Sequence, residues 1–395
     1  PVETSGLSTT VSGLTDDVSY TFTVTALNEM GASSAATVVS TTKHLSISSA
    51  GLNNLGQLGN GETTVQPAPG VVDTSGVLAG KTITQVSTGY DQTCAIADGK
   101  AYCWGANSFS ELGDGTTTYR STPVAVNTSG VLSGKTVTKI SAGYTLTCAV
   151  ADGKAYCWGA NSLGALGNNT MTDSSVPVAV NTSGVLAGRT VTDISVGYSS
   201  TCAVADGLVF CWGANSNGNL GDNTTSYRLV PVAVNTSGVL AGKTVTSLTT
   251  GYNTTCVVAS GKVYCWGANN YGTLGDNSTT QRNVPVAVVD TGVLAGKTMT
   301  QVSANYNSTC AMDSVGGGYC WGQGGNYQLG NNSQSQSLVP VSLYTASGGL
   351  AGPKALSTIS AGYNYGCAAA SGAVYCWGLN TNYQLGDGTN TARGI

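Results

Sequence analysis

Short apolar and β-branched runs alternate along this chain with clusters of Gly, Asn, Asp, Ser and Thr. One run is Thr-Val-Thr-Lys-Ile at 136–140, another is Pro-Val-Ala-Val at 177–180, and two more flank Asp152-Gly153. Short runs of this kind between turn residues are typical of strands. The pattern predicts an all-β chain with about four strands in each unit.

The pattern repeats along the chain with a nearly constant period. Cysteines occur in six pairs, and the first cysteine of each pair recurs every 54 residues, with one step of 57. A period of about 40–55 residues that holds four strands is typical of a propeller blade, whereas a solenoid uses a shorter unit. The repeat therefore predicts a β-propeller.

The spacing of the cysteines fits a tight hairpin. If Asp98-Gly99 forms a two-residue type I′ turn, Cys94 lies opposite Cys103 at a non-hydrogen-bonded position, where Cα atoms are about 4.5 Å apart. That separation is at the short end of disulfide geometry. The turn sequences at 152–153 and 206–207 repeat the arrangement, and Ser-Gly at 260–261 and 371–372 imitates it.

One pair contains an extra residue, which its Gly-rich turn at 316–318 absorbs with a G1-type bulge. The register thus predicts six cross-strand disulfides: Cys94–Cys103, Cys148–Cys157, Cys202–Cys211, Cys256–Cys265, Cys310–Cys320 and Cys367–Cys376.

Zinc is the competing explanation for twelve cysteines. Structural zinc sites use ligands two to four residues apart in pairs, usually with histidine, whereas these pairs are nine or ten residues apart and His44 is the only histidine. We therefore expect disulfides and no metal site. Disulfides indicate an oxidising environment, so we expect an extracellular or cell-surface protein.

Charge and hydropathy exclude two kinds of partner. Only 9% of the residues are charged, the net charge is −4, and the 15 basic residues are scattered, so we expect no nucleic-acid partner. No run of 18 apolar residues is present to span a membrane. The chain starts and stops abruptly and shows no signal peptide, which is consistent with a piece of a longer polypeptide.

No catalytic constellation is apparent. His44 is the only histidine and lies at a module boundary, and the repeated Asp residues occupy turn positions. Gly76-Val-Leu-Ala-Gly80-Lys-Thr resembles a phosphate-binding loop, but it has three residues between its glycines instead of four and it recurs, so we interpret it as a structural turn. We expect no catalytic residue and no cofactor; Leu-Gly-Asp loops as weak Ca²⁺ ligands are a minor alternative.

Several motifs in each unit resemble the RCC1 (regulator of chromosome condensation) repeat. They are Gly143-Tyr144, Cys148-Ala149-Val150, Asp152-Gly153, Tyr156-Cys157-Trp158-Gly159 and Leu166-Gly167. The similarity extends over 44–395 and implies a seven-bladed propeller; the chain looks like the bacterial, secreted branch of the family. Equivalent Leu-Gly loops occur seven times, at 58, 112, 166, 220, 274, 329 and 385, but Cys-Trp-Gly occurs only six times. We therefore expect six blades with cysteine pairs and an incomplete or composite seventh.

Residues 1–43 differ from the repeats. The runs at 18–26 and 36–40 resemble the last two strands of a fibronectin type III domain, with Tyr20 at its tyrosine corner. The segment is therefore interpreted either as the C-terminal half of such a domain or as strands that complete the seventh blade. The expected domains are 1–43 and an RCC1-like propeller over 44–395.

Loop positions that vary between repeats are candidates for partner binding, because the fold does not dictate them. Tyr and Arg are favoured at interface hot spots, although drift at exposed turns is the alternative. The candidates are Phe109, Tyr119, Arg120, Tyr227, Arg228, Tyr271, Arg282, Tyr327 and Tyr383. The tryptophans, by contrast, recur once per blade beside the disulfide, so we expect them to pack between blades.

These observations favour a non-enzymatic module of a microbial cell-surface or secreted protein, which mediates protein–protein interaction, adhesion or assembly. Its partner would be a protein or a surface glycan, with self-association as a further option. The alternative function is a secreted enzyme inhibitor of the β-lactamase-inhibitor type, which the family resemblance also allows. An enzyme such as a glycan lyase or hydrolase is the third hypothesis.

Overall fold

The computed structural model describes residues 47–352 and 354–395 in full and short strands between Ser19 and Thr41. Two compact units divide the chain, Pro1–Ile47 and Ser48–Ile395. In the first, β1 (Ser19–Val24) pairs antiparallel with β4 (Ala36–Thr41), and β2 (Leu27–Asn28) pairs with β3 (Gly31–Ala32). His44 and the side chain of Tyr20 lie outside the described part, so the roles expected for them stay predictions.

The second unit is a propeller of antiparallel sheets, in which the strands of each blade are neighbours in sequence order. A 3-10 turn, Gly292–Leu294, lies between blades 4 and 5. Blade 1 consists of β7 (Ile83–Thr88), β8 (Gln92–Ala97), β9 (Lys100–Gly105) and β10 (Arg120–Ala125). Blade 2 consists of β11 (Val137–Ala142), β12 (Leu146–Ala151), β13 (Lys154–Gly159) and β14 (Ser174–Ala179). Blade 3 consists of β15 (Val191–Val196), β16 (Ser200–Ala205), β17 (Leu208–Gly213) and β18 (Arg228–Ala233).

Of the three remaining sheets, the first two have four strands and the last has three. Blade 6 has three strands, and Arg393 adds a single bridge to Gly378 where a fourth strand would begin. Blade 4 consists of β19 (Val245–Thr250), β20 (Thr254–Ala259), β21 (Lys262–Gly267) and β22 (Arg282–Ala287). Blade 5 consists of β23 (Met299–Ala304), β24 (Ser308–Asp313), β25 (Gly318–Gly322) and β26 (Ser337–Ser342). Blade 6 consists of β27 (Leu356–Ala361), β28 (Tyr365–Ala370) and β29 (Ala373–Gly378).

The expectation of seven blades is wrong, because the described part of the propeller contains six. Among the described residues, the seventh position holds a two-stranded sheet, β5 (Ser48–Gly51) with β6 (Gln66–Val71). Backbone bonds place this pair between blades 6 and 1: Gly388 N–H donates to Pro67 O at 2.9 Å, and Gly61 N–H donates to Ser121 O at 2.8 Å. The pair corresponds to the two outer strands of a blade, so it does not reach the axis.

The hairpin register predicted from the Asp-Gly turns is confirmed. Asp98 and Gly99 both have positive φ, 47° and 70°, as a type I′ turn requires, and Cys94 lies opposite Cys103. All six predicted disulfides are present, with Cα–Cα separations of 4.0–4.1 Å. In the longer hairpin, Gly316 has φ of 84° and its N–H donates to Asp313 O, which is the expected bulge.

The tryptophans pack between blades, as predicted. Trp158 is fully buried, and its indole N–H donates to Glu111 O of the preceding blade at 2.9 Å. The Thr147 hydroxyl donates to the same carbonyl at 2.8 Å. Equivalent indole bonds join each neighbouring sheet to the next: Trp104 to Gln57, Trp212 to Ala165, Trp266 to Asn219, Trp321 to Thr273 and Trp377 to Gln328. Each blade is therefore fastened to its neighbour by a buried hydrogen bond as well as by apolar contact.

Candidate functional site

One face of the propeller carries two kinds of loop. Because consecutive strands are antiparallel, the turn between the first and second strands lies at the same end of a blade as the long loop between the third and fourth. Ala106 N–H donates to Asp91 O at 2.8 Å and ties the two together in blade 1. We call this end the loop face. The opposite end, with the Asp-Gly turns and the Gly-Val-Leu-Ala-Gly connections, is the hairpin face.

Six tyrosines form a closed ring at the centre of the loop face. Each comes from the first turn of one blade, and five neighbouring pairs have ring centroids 4.3–4.8 Å apart, while the sixth pair is 6.1 Å apart. Distances of this size are typical of favourable aromatic pairs. The members are Tyr90, Tyr144, Tyr198, Tyr252, Tyr306 and Tyr363. The ring is an aromatic surface with hydroxyl groups, suited to binding and not to acid–base chemistry.

Close packing of the turns holds the ring. Tyr90 N–H donates to Gly143 O at 3.1 Å. A side chain on Gly197 would clash with the carbonyl oxygen of Gly251 in the next turn, so only glycine allows neighbouring turns to approach this closely. Burial, followed by the proximity of neighbouring phenols, raises the pKa of Tyr144. The Tyr144 phenol is therefore a neutral donor and acceptor at physiological pH.

Four of the predicted partner-binding residues lie on the loop face with their side chains exposed: Phe109, Tyr119, Tyr227 and Tyr271. They come from the loops between the third and fourth strands of blades 1, 3 and 4. The Ser108 and Tyr119 hydroxyls are 2.6 Å apart and link the two ends of the blade 1 loop. The structure thus places these residues around the tyrosine ring; their role in binding stays a prediction.

The loops themselves are rigidly built around a buried asparagine. In blade 1, the Asn107 side-chain amide donates to Thr116 O and Thr118 O, each at 3.1 Å, and its Oδ1 accepts from Leu112 N–H at 3.0 Å. Asn161, Asn215, Asn269 and Asn380 make equivalent bonds in other blades. Saturated hydrogen bonding of this kind fixes the loop before any partner binds.

The predicted arginines have a structural contact in their own loops. Arg228 Nε donates to Asp222 Oδ2 at 2.8 Å, and Thr224 donates to Asp222 Oδ1. Partial burial opposes ionisation of Asp222, but the bonds from Thr224 and Arg228 outweigh it and lower the pKa of that carboxyl. Arg120 and Arg282 make the same pair with Asp114 and Asp276. These guanidinium groups are therefore partly engaged inside the chain.

Tyr327 and Tyr383 are half-buried, and both have left-handed backbone, with φ of 64° and 60°. Blades 2 to 4 have glycine at this position, for example Gly164, where an added Cβ would lie 2.9 Å from Leu229 Cα of the next blade. The blade 5 loop that carries Tyr327 lies beside blade 6, whose fourth strand is reduced to the Arg393 bridge. This leaves room for an aromatic side chain. The fold thus gives Tyr327 a packing role beside the predicted binding role.

Several loop-face residues were not predicted as site residues. The tyrosine ring is one case, although Gly-Tyr in the repeats was a visible signal; its closure becomes evident only once the blades surround an axis. Exposed Leu163 and Met171 in the blade 2 loop are the others. They add apolar surface to the rim between the blade 1 and blade 3 aromatics.

Two carboxyl groups at the loop face, those of Glu111 and Asp91, have raised pKa values. Burial raises the pKa of Glu111, and Asp91 nearby raises it further. Burial also raises the pKa of Asp91. Glu111 Oε2 accepts from Phe109 N–H at 2.8 Å, just as Gln328 Oε1 accepts from Asn326 N–H in blade 5. Since glutamine does the same work elsewhere, the Glu111 carboxyl is part of the loop structure.

Within the described residues, no group of three or more His, Cys, Asp or Glu side chains is placed to hold a metal ion. The described part of the chain also contains no helix long and apolar enough to cross a bilayer.

Comparison with known proteins agrees with this geometry. Residues 12–343 match the family model of the RCC1-like domain, and residues 371–394 match that of the regulator of chromosome condensation (RCC1) repeat. The chain is 30% identical over 346 residues to the ultraviolet-B receptor UVR8 of Arabidopsis thaliana, a match that covers 86% of this chain and 74% of the receptor.

Two solved structures share the fold. Human WBSCR16 superposes with a TM-score of 0.76 at 21% identity, covering 89% of this chain and 92% of that chain. Yeast RCC1 (Prp20), solved bound to Kap60, superposes with a TM-score of 0.74 at 17% identity, covering 89% and 83%. Together with the repeated blade and its tryptophan contacts, these matches show that the chain belongs to the RCC1-like domain family.

Proposed function

We propose that this chain is a non-enzymatic binding module that engages a protein partner with its loop face. One observation carries the proposal: exposed aromatic side chains at the rim and a closed ring of six tyrosines lie on the same face. Aromatic residues on a rigid scaffold supply large contact area at low entropic cost. A relative of the same fold, yeast RCC1, binds the protein Kap60, which supports a protein as the class of partner.

We place the protein outside the cell or on its surface. Six disulfides support this location, because such bonds persist in oxidising environments. Adhesion or assembly is the role we favour there. The proposed microbial, bacterial-type secreted origin rests on the resemblance of the repeats, and the fibronectin-like identity of residues 1–43 is supported by the antiparallel pairing of β1 with β4.

The enzyme-inhibitor alternative would use the same loop face. No contact in the described residues favours it over adhesion or assembly. Surface glycan binding and self-association are separated from protein binding by the experiment below.

The test compares two multiple variants of the full chain as immobilised bait for extracellular proteins. One variant removes the rim aromatics: Phe109→Ala, Tyr119→Ala, Tyr227→Ala and Tyr271→Ala. The control removes exposed valines of the hairpin face: Val131→Ala, Val185→Ala, Val239→Ala and Val293→Ala. We expect a partner, identified by mass spectrometry, whose capture falls at least about tenfold, or 1.4 kcal/mol, with the first variant only.

Purified partner then has to reproduce the effect in a direct binding measurement. If both variants capture every protein equally, the loop face is not the binding surface. If the only species lost with the aromatics is a glycan or the chain itself, a partner protein other than this chain is ruled out. Circular dichroism and thermal melting of both variants check that they remain folded.

A further inference from the structure

The two faces of the propeller differ in their basic residues. Within 52–352 and 354–395, the turns and long loops that form the loop face contain no lysine. Every lysine in those ranges except Lys139, which lies within β11, is in or beside a hairpin turn or connection of the hairpin face, as Lys100 and Lys135 are. The lysines are therefore concentrated away from the loop face.

The arginines of the loop face do not offset its carboxylates. Each of the four pairs with an aspartate of its own loop. Further carboxyl groups on this face form no ion pair within the described part of the chain: Glu62, Asp91, Glu111 and Asp173. The loop face therefore carries an excess of negative charge, which attracts a basic partner.

One of these carboxyl groups lies beside the tyrosine ring. Asp91 directly follows Tyr90 in the sequence, and the Gln57 side-chain amide donates to Asp91 Oδ1 at 3.5 Å. Burial raises the pKa of Tyr144, the next member of the ring, and the neighbouring phenols and Asp91 raise it further. Burial also raises the pKa of Asp91, as expected for a partly desolvated carboxylate with no cation beside it.

The dimensions of the tyrosine ring suit a cation. Neighbouring centroids are 4.3–4.8 Å apart in five pairs and 6.1 Å apart in the sixth. The centre of such a ring is about 5 Å from each centroid, within the roughly 6 Å over which an aromatic group attracts a cation. The phenol oxygens also accept hydrogen bonds from ammonium and guanidinium groups. A cation on the axis therefore interacts with several tyrosines at once.

Aromatic groups toward the hairpin face have cations of their own. Lys81 Nζ lies 6.0 Å from the ring centroid of Tyr102, and Arg189 Cζ lies 5.2 Å from that of Phe210. The same contact recurs in blades 2 and 6. Among the residues that the structure describes, no cation makes such a contact with a member of the tyrosine ring. The ring therefore has the chemistry of a cation site that a partner can use.

We propose that the tyrosine ring binds a lysine or arginine side chain of the protein partner. This inference rests on the proposed function, in which a protein docks on the loop face, and it names the chemistry of that protein. The carboxylates of the face attract a basic segment, and Asp91 pairs with the cation that enters the ring. The rim aromatics surround this contact and keep water away from it. The partner is thus a protein with an exposed basic segment at its binding surface.

Titration of the full chain with a short cationic peptide tests the site. The probe is acetyl-Gly-Arg-Gly-amide, and its matched control carries citrulline, a neutral group of nearly the same shape, in place of arginine. The full chain is produced with isotope-labelled tyrosine, so that nuclear magnetic resonance reports on each phenol ring. We expect saturable shifts at the tyrosines of the ring, and an affinity for the arginine probe at least about tenfold higher than for the citrulline probe.

Variants of the full chain locate the bound cation. Tyr198→Leu removes one aromatic group and should weaken arginine binding about threefold or more, whereas Tyr198→Phe keeps the aromatic face and should bind more tightly than Tyr198→Leu. Asp91→Asn removes the carboxylate beside the ring and should also weaken binding about threefold. The matched control is Asp152→Asn, in a hairpin turn where Asp152 pairs with Lys135, and it should bind like the unchanged chain. Circular dichroism checks that all variants are folded.

Equal affinity for the arginine and citrulline probes would overturn the proposal. So would shifts confined to tyrosines outside the ring, or unchanged affinity in both Tyr198→Leu and Asp91→Asn. Tetramethylammonium is the third probe. If it binds more tightly than the arginine probe, the ring selects a small ammonium ligand and the proposal of a partner side chain is wrong.

The outcome is separable from that of the proposed function. A ring that does not bind the arginine probe, in a chain whose partner capture still depends on the rim aromatics, would overturn this inference alone. Capture that does not depend on the rim aromatics, with a ring that still binds the arginine probe, would overturn the proposed function and leave the cation site in place.

Discussion

Blades 3 and 6 have similar third strands but different surroundings. The sequence is Val209-Phe210-Cys211-Trp212-Gly213 in one and Val374-Tyr375-Cys376-Trp377-Gly378 in the other, and both pair with a second strand in the same register. Val209 shares a buried cluster with Val245 and Leu248 of blade 4. In the part of the chain that the structure describes, no inner strand follows Val374 to pack against it, and its side chain is largely exposed.

The difference shows that the apolar core lies between neighbouring blades and is formed by residues of both. Part of the apolar cover of the third strand comes from the next sheet, so the burial of its side chains depends on the neighbouring repeat as well as on its own. Stability in such an array is a sum of repeat terms and nearest-neighbour terms. Blade 6 and the inner strand of blade 1, which lack one neighbour, are therefore expected to be the weakest parts of the ring.

The largest expected effect is in the reduction of the disulfides. Cys202 and Cys211 have fully buried sulfur positions, whereas Cys367 and Cys376 are half-buried. Brief reduction followed by alkylation should label Cys367 and Cys376 first, about a hundredfold faster than the other ten cysteines, because the other pairs must await local opening. Peptide mass spectrometry gives the order of labelling. Simultaneous labelling of all twelve would show that blade 6 is as protected as blade 3.

The second comparison uses one residue type at one position of the blade. Val302→Ala removes buried methyl groups between blades and should cost about 2.5 kcal/mol of unfolding free energy. Val86→Ala, at the equivalent exposed position, should cost less than about 1 kcal/mol. Guanidinium chloride unfolding of both variants with the disulfides intact measures the difference. Equal losses would mean that Val86 is covered in solution as well as Val302 is.

The sequence predicted local pairing well and ring closure poorly. Asp98-Gly99 determines its hairpin because a type I′ turn fixes the register of both strands, and this placed every disulfide partner. The blade count depends on strands meeting across the axis, which no local motif encodes. The tyrosine ring is of the same kind: each Gly-Tyr is a turn in the sequence, and six become one surface only through closure.

The predicted arginines illustrate a different limit. Variation between repeats suggested that Arg120 and Arg228 serve a partner, yet each is paired with an aspartate six residues earlier. The constant spacing Asp114–Arg120 and Asp222–Arg228 was present in the sequence. Its meaning depended on the loop conformation, which brings the two side chains together around a buried asparagine.

The third prediction compares these ion pairs in a complete and an incomplete blade. Asp222→Asn should cost about 1–2 kcal/mol at pH 7, because the carboxylate is buried among charged and hydroxyl donors. Asp387→Asn, in blade 6, should cost less than about 1 kcal/mol, because its pair with Arg393 is more exposed. Equilibrium unfolding at several salt concentrations checks both values.

The pH dependence has a definite sign for these groups. Hydrogen bonds from Arg393 and Thr389 outweigh partial burial and lower the pKa of Asp387 to about 2. A lowered pKa in the folded state contributes stability above the unfolded pKa of about 3.9, and that stability is lost as the pH falls toward 2. The cost of Asp387→Asn should therefore disappear between about pH 4 and pH 2. A cost that persists at pH 2 would contradict the ionic origin.

The smallest predicted effect has the opposite sign. Burial, with Asp91 nearby, raises the pKa of Glu111, so the ionised form disfavours folding above the unfolded pKa of about 4.3. Glu111→Gln keeps the acceptor for Phe109 N–H and removes the charge, as Gln328 does in blade 5. It should raise the free energy of unfolding by about 1 kcal/mol at pH 7, and by nothing near pH 4, where glutamate is protonated when folded.

The reciprocal variant Gln328→Glu should lose about as much at pH 7 as Glu111→Gln gains, because the Gln328 side chain is also buried. Unfolding curves of both variants between pH 4 and pH 7 test the pair together. A gain for Glu111→Gln that does not change with pH would show that shape and not charge sets the energy of this loop position. Opposite, pH-dependent changes in the free energy of unfolding would show that the charge of this side chain determines stability at the same loop position in blades 1 and 5.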